Sequence, residues 1–247
     1  MDTESCIALS PQIAFEKKIL NLEKYYHLHH PFNKLMNKGQ LTREQIQQWV
    51  INRFYYQVNI PIKDAAILSN CPVRAIRREW VKRIIEQDGD AINPGGIEAW
   101  LALGKACGLT HDVLWSMKYV LPGVRFAVDA YVHFARTQTW QAAVCSSLTE
   151  LFACEIHSQR LKNWPIHYPW IDSSALTYFR DRLNNDHVTK GLQLTLENFQ
   201  TQEQQTEALA ILTLKLEILW AISDNLYLAY VLDHPPITFS KDNTSHA

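Results

Sequence analysis

The sequence has no long uninterrupted apolar run. Its most apolar stretch, Ala208 to Ile222, is broken by Lys215 and Glu217 and is too short to span a bilayer, so no membrane partner is expected. Charge of one sign is also missing: 24 Lys and Arg face 25 Asp and Glu, for a net charge of −1. Nucleic-acid binding needs clustered cations, so no nucleic-acid partner is expected either. The local group Arg74, Arg77, Arg78, Lys82 and Arg83 reads mostly as a solvated helix face. There is no Cys-x-x-Cys pair. The five cysteines, Cys6, Cys71, Cys107, Cys145 and Cys154, are odd in number and scattered, which argues against a disulfide framework or a thiolate zinc site and fits a reducing compartment. Met1 to Ser10 carries Asp2 and Glu4 without an apolar core, so no secretory signal is expected and the cytoplasm is the expected location.

Several catalytic signatures are absent too. There is no Gly-x-Ser-x-Gly, no Walker loop, no Gly-x-Gly-x-x-Gly and no Glu-x-x-His pair of the helical di-iron type. The run Tyr25-Tyr26-His27-Leu28-His29-His30-Pro31 brings imidazoles close in sequence, but spacing of that kind does not make a metal site, and no metal is expected.

Helical periodicity dominates what remains, and no run alternates like a strand. Ser10-Pro11 supplies an N-cap and a first-turn proline for a helix to about Glu23. Thr42-Arg43-Glu44-Gln45 is a capping box that opens a long helix to about Asn70, with a kink expected at Pro61. Cys71-Pro72 restarts a helix to Gln87. Asp88-Gly89 and Asn93-Pro94-Gly95-Gly96 break the chain before a helix to Gly108. Thr110 caps a short helix ended by Pro122-Gly123, and helices follow near 124–136 and 140–164. Pro165 and Pro169 bracket an aromatic loop. Ser173 or Ser174 caps a helix through Asn184 that continues toward Phe199, and a last helix runs from about Gln202 to Asp233. Without a Pro/Ser/Gly-rich linker or an internal repeat, the pattern predicts an all-α, single-domain helical bundle with its core at about 10–236 and a polar tail at 237–247.

Candidate functional residues are polar groups on faces that ought to be apolar. Lys215 interrupts the stripe Ala208, Ile211, Leu212, Leu219, Ile222, Leu226; it is either a snorkelling lysine or a cation awaiting an anion. Glu150, Cys154, His157 and Arg160 or Leu161 share a face at helical spacing among Leu148, Leu151, Phe152 and Ile156. A lone histidine there is more often a satisfied core residue; a Glu, a His and an Arg together point toward a site. Arg53, Tyr56, Gln57 and Lys63 lie on or near one face, and Tyr178 and Arg182 form an i, i+4 pair. With Arg83 they would give one cavity several cations and phenols, suited to a small polyanion.

Longer strings carry a resemblance. Tyr26-His27-Leu28-His29-His30-Pro31-Phe32, Asn52-Arg53-Phe54-Tyr55-Tyr56-Gln57, Ile60-Pro61-Ile62-Lys63-Asp64-Ala65-Ala66, Gly95-Gly96-Ile97-Glu98-Ala99-Trp100, Leu121 to Tyr131 and Ser146 to Ala153 closely resemble the pyrroloquinoline-quinone synthase family, and the match extends from about Ser10 to Pro236. The resemblance implies a seven-helix bundle of the haem-oxygenase-like type that forms a homodimer and binds neither haem nor metal. It implies an oxidoreductase that needs no resident cofactor. That enzyme closes a ring in a tricarboxylate quinone precursor and oxidises it with dioxygen, giving pyrroloquinoline quinone (PQQ) and hydrogen peroxide. Other proteins of the same biosynthesis would deliver the precursor or remove the product. The ligand-binding positions carried over are His27, Arg53, Gln57, Lys63, Arg83, Tyr131, Thr149, Glu150, Arg160 and Lys215, with His157, Tyr178, Arg182 and Gln87 as catalytic positions.

One position departs from the family pattern. Before the Asp-Gly turn the family has a histidine facing the reacting ring, where this chain has Gln87. An imidazole, with an ordinary pKa of ~6.5, exchanges protons at neutral pH; a carboxamide only donates and accepts hydrogen bonds. General acid–base help is typically worth ~10²–10⁴-fold. The alternative implied is a family member that binds PQQ with impaired turnover. An interaction protein on the same scaffold would instead leave Arg53, Arg182 and Lys215 solvated or salt-bridged without a shared cavity.

Overall fold

A computed structural model describes residues 10–183 and 186–237 of the chain. All regular elements among the described residues are helical, as expected. The α-helices are α1 (Pro11–Leu20), α2 (Pro31–Asn37), α3 (Arg43–Asn70), α4 (Arg74–Asp88), α5 (Gly95–Ala106), α6 (His111–Trp115), α7 (Pro122–Thr137), α8 (Trp140–Ser146), α9 (Ala153–His167), α10 (Thr177–Asp181), α11 (Asp186–Asn198) and α12 (Gln202–Leu226). Short 3-10 segments join several of them, and a π-helical turn, Tyr227–Val231, closes α12. The division is finer than the seven helices that the resemblance implies. The N-terminal stretch, the predicted helix end at Asn184 and nearly all of the predicted polar tail lie outside the described residues.

Local chemistry explains most boundaries. Ser10 Oγ accepts the Ile13 amide at 3.3 Å and starts α1. Thr42 and Gln45 form the predicted capping box of α3, with Thr42 N donating to Gln45 Oε1 at 2.8 Å and Gln45 N to Thr42 Oγ1 at 3.2 Å. Thr201 and Gln204 repeat the device at α12. The helix α3 continues through Pro61 to Asn70. In the break between α4 and α5, Gly89 and Gly95 have φ of +82° and +80°. A Cβ on Gly95 would lie 2.5 Å from the Gly89 nitrogen, so only glycine fits there.

Four boundaries differ from expectation. The expected helix over 140–164 is divided: a 3-10 segment, Ser147–Phe152, separates α8 from α9. Within α9, Cys154 faces solvent while His157 and Arg160 are buried, and the tighter winding of the 3-10 segment changes the angle at which Glu150 joins them. Cys154 therefore does not share the face of the other three. The α9 helix also runs past Pro165 to His167, shortening the aromatic loop. Asp172, not Ser173 or Ser174, caps the next turn by accepting from the Ser174 amide at 2.9 Å. The short helix α6 ends at Trp115, and Pro122 occupies the first turn of α7, so Pro122-Gly123 opens a helix rather than ending one.

The main core is rich in large rings. Trp49, Trp100, Trp164 and Phe179 pack together, with ring centroids 5.2 Å apart for Trp49–Trp100 and 5.4 Å for Trp164–Phe179. Truncating one such ring to alanine typically costs about 3–5 kcal/mol. This cluster forms a floor under the polar residues of α3, α9 and α10. Among the described residues, no helix is long and apolar enough to cross a membrane.

Candidate active site

Polar side chains from α3, α4, α7, α9, α10, α12 and the 3-10 segments converge in the interior, a meeting that the separate helix faces could not themselves reveal. The long helix α3 contributes most. Arg53, Tyr56, Gln57, Lys63 and Asp64 repeat at three, four and seven residues along one stripe, which turns a run of polar groups inward.

The interior cations fall into two sets. Lys63 and Arg83 are paired: Lys63 Nζ lies 2.6 Å from Asp64 Oδ1 and 3.0 Å from Ser147 Oγ. Arg83 Nε lies 3.4 Å from the same Asp64 oxygen, and its Nη2 donates to Glu150 Oε1. Trp80 Nε1 also donates to Asp64 Oδ1, at 2.9 Å. Burial alone would raise the Glu150 pKa, but the Arg83 guanidinium overcomes that, with Lys63 and Arg182 adding to it, and holds the carboxyl at about 2. Burial opposes the charge on Lys63, yet Asp64 more than compensates and its pKa is raised.

Arg53, Arg160 and Lys215 form the second set and have no carboxylate within salt-bridge distance among the described residues. Lys215 is 1% exposed; its Nζ donates to Tyr56 Oη at 2.8 Å and sits 3.5 Å over the Tyr131 ring. The Lys215 pKa falls well below its ordinary value, through burial first and then repulsion from Lys63 and Arg53. The Arg53 guanidinium lies 4.0 Å over Tyr56 and 5.5 Å from Trp100, and its Nη1 is sealed from solvent without a hydrogen-bond partner. Arg160 is 4.7 Å over Trp49; one Nη2 bond of 3.2 Å goes to Asn33, while Nε has no partner. Burial and Arg53 together push Arg160 down to about 9. Aromatic faces can carry such cations, but only partly replace an anion.

His27 and His157 border this second set. Each has a buried Nδ1 without a hydrogen-bond partner. Burial, then Arg160 and Arg53, push both imidazoles well below their ordinary range, so they are neutral at pH 7. His157 stacks on Phe179 at 5.7 Å and meets the Tyr178 ring edge-on at 6.1 Å. Buried polar atoms are normally satisfied, so orphans on Arg53, Arg160, His27 and His157 together mark a place built to receive a ligand's acceptors and donors.

A third group is neutral. Tyr178 Oη donates to Gln57 Oε1 at 2.7 Å, and Gln57 Nε2 donates to Gln87 Oε1. Gly96 lies against it: a Cβ there would be 2.6 Å from Arg182 Nη2 and 2.7 Å from Gln87 Oε1. Tyr178 and Arg182 also line a groove of ≈ 600 Å³ with Gly96, Glu98 and Asp181, so this end of the site faces outward. Thr149 is buried next to Glu150, and Tyr131 Oη shares a 3.4 Å contact with Ser147 Oγ.

All fourteen residues expected from the sequence thus lie in or beside one region. Lys63 and Arg83, however, are tied to carboxylates. Sequence reasoning missed Asp64, Ser147, Trp80 and Asn33. A signal for Asp64 existed, since it lies seven residues after Gln57 and so shares its face of α3. Asn33 sits on α2, which periodicity did not reveal because the helix has only seven residues.

The family model described as the TENA/THI-4/PQQC family matches residues 16–225. A protein named pyrroloquinoline-quinone synthase from Acinetobacter baylyi is 56% identical over 224 residues, covering 90% of this chain and 88% of that protein. One of the same name from Pseudomonas syringae pv. tomato is 57% identical over 231 residues, covering 93% and 92%. Among solved structures, a TenA homologue from Pseudomonas syringae pv. tomato superposes with a TM-score of 0.72 at 10% identity, covering 87% of this chain and 91% of that one. A domain with a haem oxygenase-like fold from Shewanella denitrificans also reaches 0.72, at 15% identity, covering 93% and 96%. At those identities the likeness establishes the fold alone.

Proposed function

The chain belongs to the TENA/THI-4/PQQC family, and from that premise we propose that it is an oxidoreductase acting in PQQ biosynthesis. In this reading it completes the quinone: it closes a ring in a tricarboxylate precursor and passes the electrons to dioxygen, releasing hydrogen peroxide without a resident cofactor. The observation that carries the reading is the set Arg53, Arg160 and Lys215, cations turned inward with no carboxylate partner among the described residues. Keeping uncompensated charge inside a protein is costly, and a flat polycarboxylate is the kind of ligand that offsets it.

The roles follow from position. Arg53 and Arg160 bind ligand carboxylates through guanidinium forks, and Lys215 with them stabilises enolate- or quinol-like anions that develop along the path. His157, neutral and with a free Nδ1, accepts a proton from the substrate, and Tyr178 is placed to donate one. Arg182 closes the outward end near a quinone oxygen. Each dioxygen reduced to hydrogen peroxide takes two electrons from a quinol anion and two protons from the site. Gln87 cannot supply a proton, but its amide orients a water or the departing peroxide. His27, Gln57, Thr149, Tyr131 and Glu150 complete the walls.

Oxygen uptake with the biosynthetic precursor, under single-turnover conditions, tests this. Stoichiometric uptake with growth of quinone absorbance is expected, and its absence with bound precursor counts against the reading. The second reading, a family member that holds PQQ with slowed turnover, is favoured by the Gln87 carboxamide already committed to Gln57. It predicts tight quinone binding without oxygen consumption. The protein is further proposed to act in the cytoplasm as a homodimer, exchanging precursor and product with other proteins of the same biosynthesis.

A further inference from the structure

We propose that Asn33 is a positioning residue: its buried amide aims the Arg160 guanidinium and ties it to the His27 turn, while leaving the Arg160 charge uncompensated for a ligand carboxylate. The proposal rests on the reading that the site holds such a ligand.

Asn33 is 2% exposed and lies on the short helix α2, away from the α3 stripe that supplies most of the site. Its Oδ1 accepts from Arg160 Nη2 at 3.2 Å, and its Nδ2 donates to the His27 carbonyl at 2.8 Å. One amide thus joins two proposed ligand-binding positions on separate elements, α9 and the 3-10 turn His27–His29. The helix that carries it is itself anchored. Pro31 occupies its first turn, and His30 Nδ1 accepts from the Phe32 amide at 3.0 Å. That bond places the imidazole hydrogen on Nε2, which donates to Asp224 Oδ1 at 2.9 Å. One turn beyond Asn33, Asn37 Nδ2 donates to Gln159 Oε1 at 2.6 Å, a second tie between α2 and α9.

The Arg160 guanidinium lies 4.7 Å over Trp49 and 5.3 Å over Phe179. Ring faces hold a cation near them but offer no directional acceptor, so they leave its rotation open. The Asn33 oxygen supplies the direction by engaging Nη2, and Nε keeps its donor free. A carboxylate at this position would aim the group too, and bind it more strongly. It would also cancel the charge, so that a ligand carboxylate would meet a neutral pair. Arg160 stands instead with its pKa pushed down to about 9 by burial and by Arg53. An ionised carboxylate further lacks the donor that the His27 carbonyl engages. A carboxamide has an acceptor, a donor and no charge, and so does all three jobs. Asn33 acts through Arg160 and His27.

Binding of PQQ to the full-length protein, followed by fluorescence quenching, tests this with three variants. Asn33→Asp keeps the size and the acceptor but adds a charge, and affinity should fall about tenfold or more. Asn33→Ala keeps the Arg160 charge but frees its direction, and affinity should fall about three- to tenfold. Asn37→Ala removes the neighbouring tie between α2 and α9 without touching Arg160, and its affinity should stay within about twofold of the parent. In oxygen uptake with the precursor, both Asn33 variants should raise KM with kcat nearly unchanged, because Arg160 grips the ligand in ground and transition states alike. Parent-like affinity in Asn33→Asp overturns the proposal. An equal loss in Asn33→Ala and Asn37→Ala is the mark of a simple brace between helices and overturns it too. Should Asn33→Asp fail to fold, the two alanine variants decide the matter by themselves. Failure of the unaltered protein to bind PQQ overturns the functional reading, and this inference with it.

Discussion

The Tyr178 hydroxyl donates to Gln57 Oε1 at 2.7 Å, and that bond decides which way the Gln57 amide faces. With Oε1 taken, Gln57 presents Nε2 to residue 87 and demands an acceptor there. Gln87 meets the demand with its carbonyl oxygen. A neutral imidazole nitrogen would meet it equally well.

Gln87→His should therefore be tolerated and should raise kcat by about tenfold or more, the general acid–base contribution that a carboxamide lacks. Gln87→Leu leaves Gln57 Nε2 without its acceptor and costs about 1–3 kcal/mol. Oxygen uptake and thermal melts of the two variants check this. Equal rates in the parent and the histidine variant would deny residue 87 any part in proton transfer.

Gly96→Ala separates function from folding. The added methyl meets the far ends of Arg182 and Gln87, which can move aside. Stability should change little, while displacement of these groups by about 1 Å lowers kcat by up to about 10²-fold. A variant with full activity would show that neither group needs its observed place.

Arg53→Lys should not substitute for Arg53. The planar guanidinium stacks 4.0 Å over Tyr56 and leaves Nη1 free for a ligand, a geometry that an ammonium cannot copy. Binding of the quinone product, followed by fluorescence quenching, should weaken by about 2–5 kcal/mol in Arg53→Leu and only somewhat less in Arg53→Lys.

Ligand binding should take up protons. Burial and neighbouring cations hold Lys215 and His157 below their ordinary values, and a bound polyanion raises both. The groups facing Lys215 are Tyr56, Arg53 and Lys63 from α3, Tyr131 from α7, and Glu150. Because the bound state holds protons more tightly, affinity rises as pH falls through the window between bound and free values. Calorimetry at pH 7 in two buffers of different ionisation enthalpy counts the protons; net release would contradict the site's electrostatics.

Lys215→Met should abolish binding yet stabilise the empty protein. The folded-state pKa of Lys215 lies below its unfolded value of ~10.4, so the unfolded chain binds more protons and stability is lost as pH falls below that value. Removing the amine at pH 7 should raise Tm by roughly 2–8 °C, and the gain should shrink above pH ~10.4. A lower Tm would mean that the cation–π contacts more than offset its burial.

Much of this was legible from local pattern. The capping box at Thr42 and the apolar stripe around Lys215 are short-range signals, and both held in three dimensions. The helix through 140–164 failed because no local rule marks where an α-helix tightens into 3-10; in the structure Ser147 and Glu150 of that segment bond to Lys63 and Arg83 of other helices, contacts that sequence spacing does not show.

The sequence by itself determined that this is an all-helical chain with cations on inward faces, because helical period and cap chemistry are properties of neighbouring residues. Only the tertiary structure decided which cations are spent and which remain free. Lys63 and Lys215 look alike on their stripes, but one sits beside Asp64 within reach of Ser147 and the other between two phenol rings. The difference is a matter of distances between separate helices, and electrostatic energy depends on those distances rather than on position along the chain.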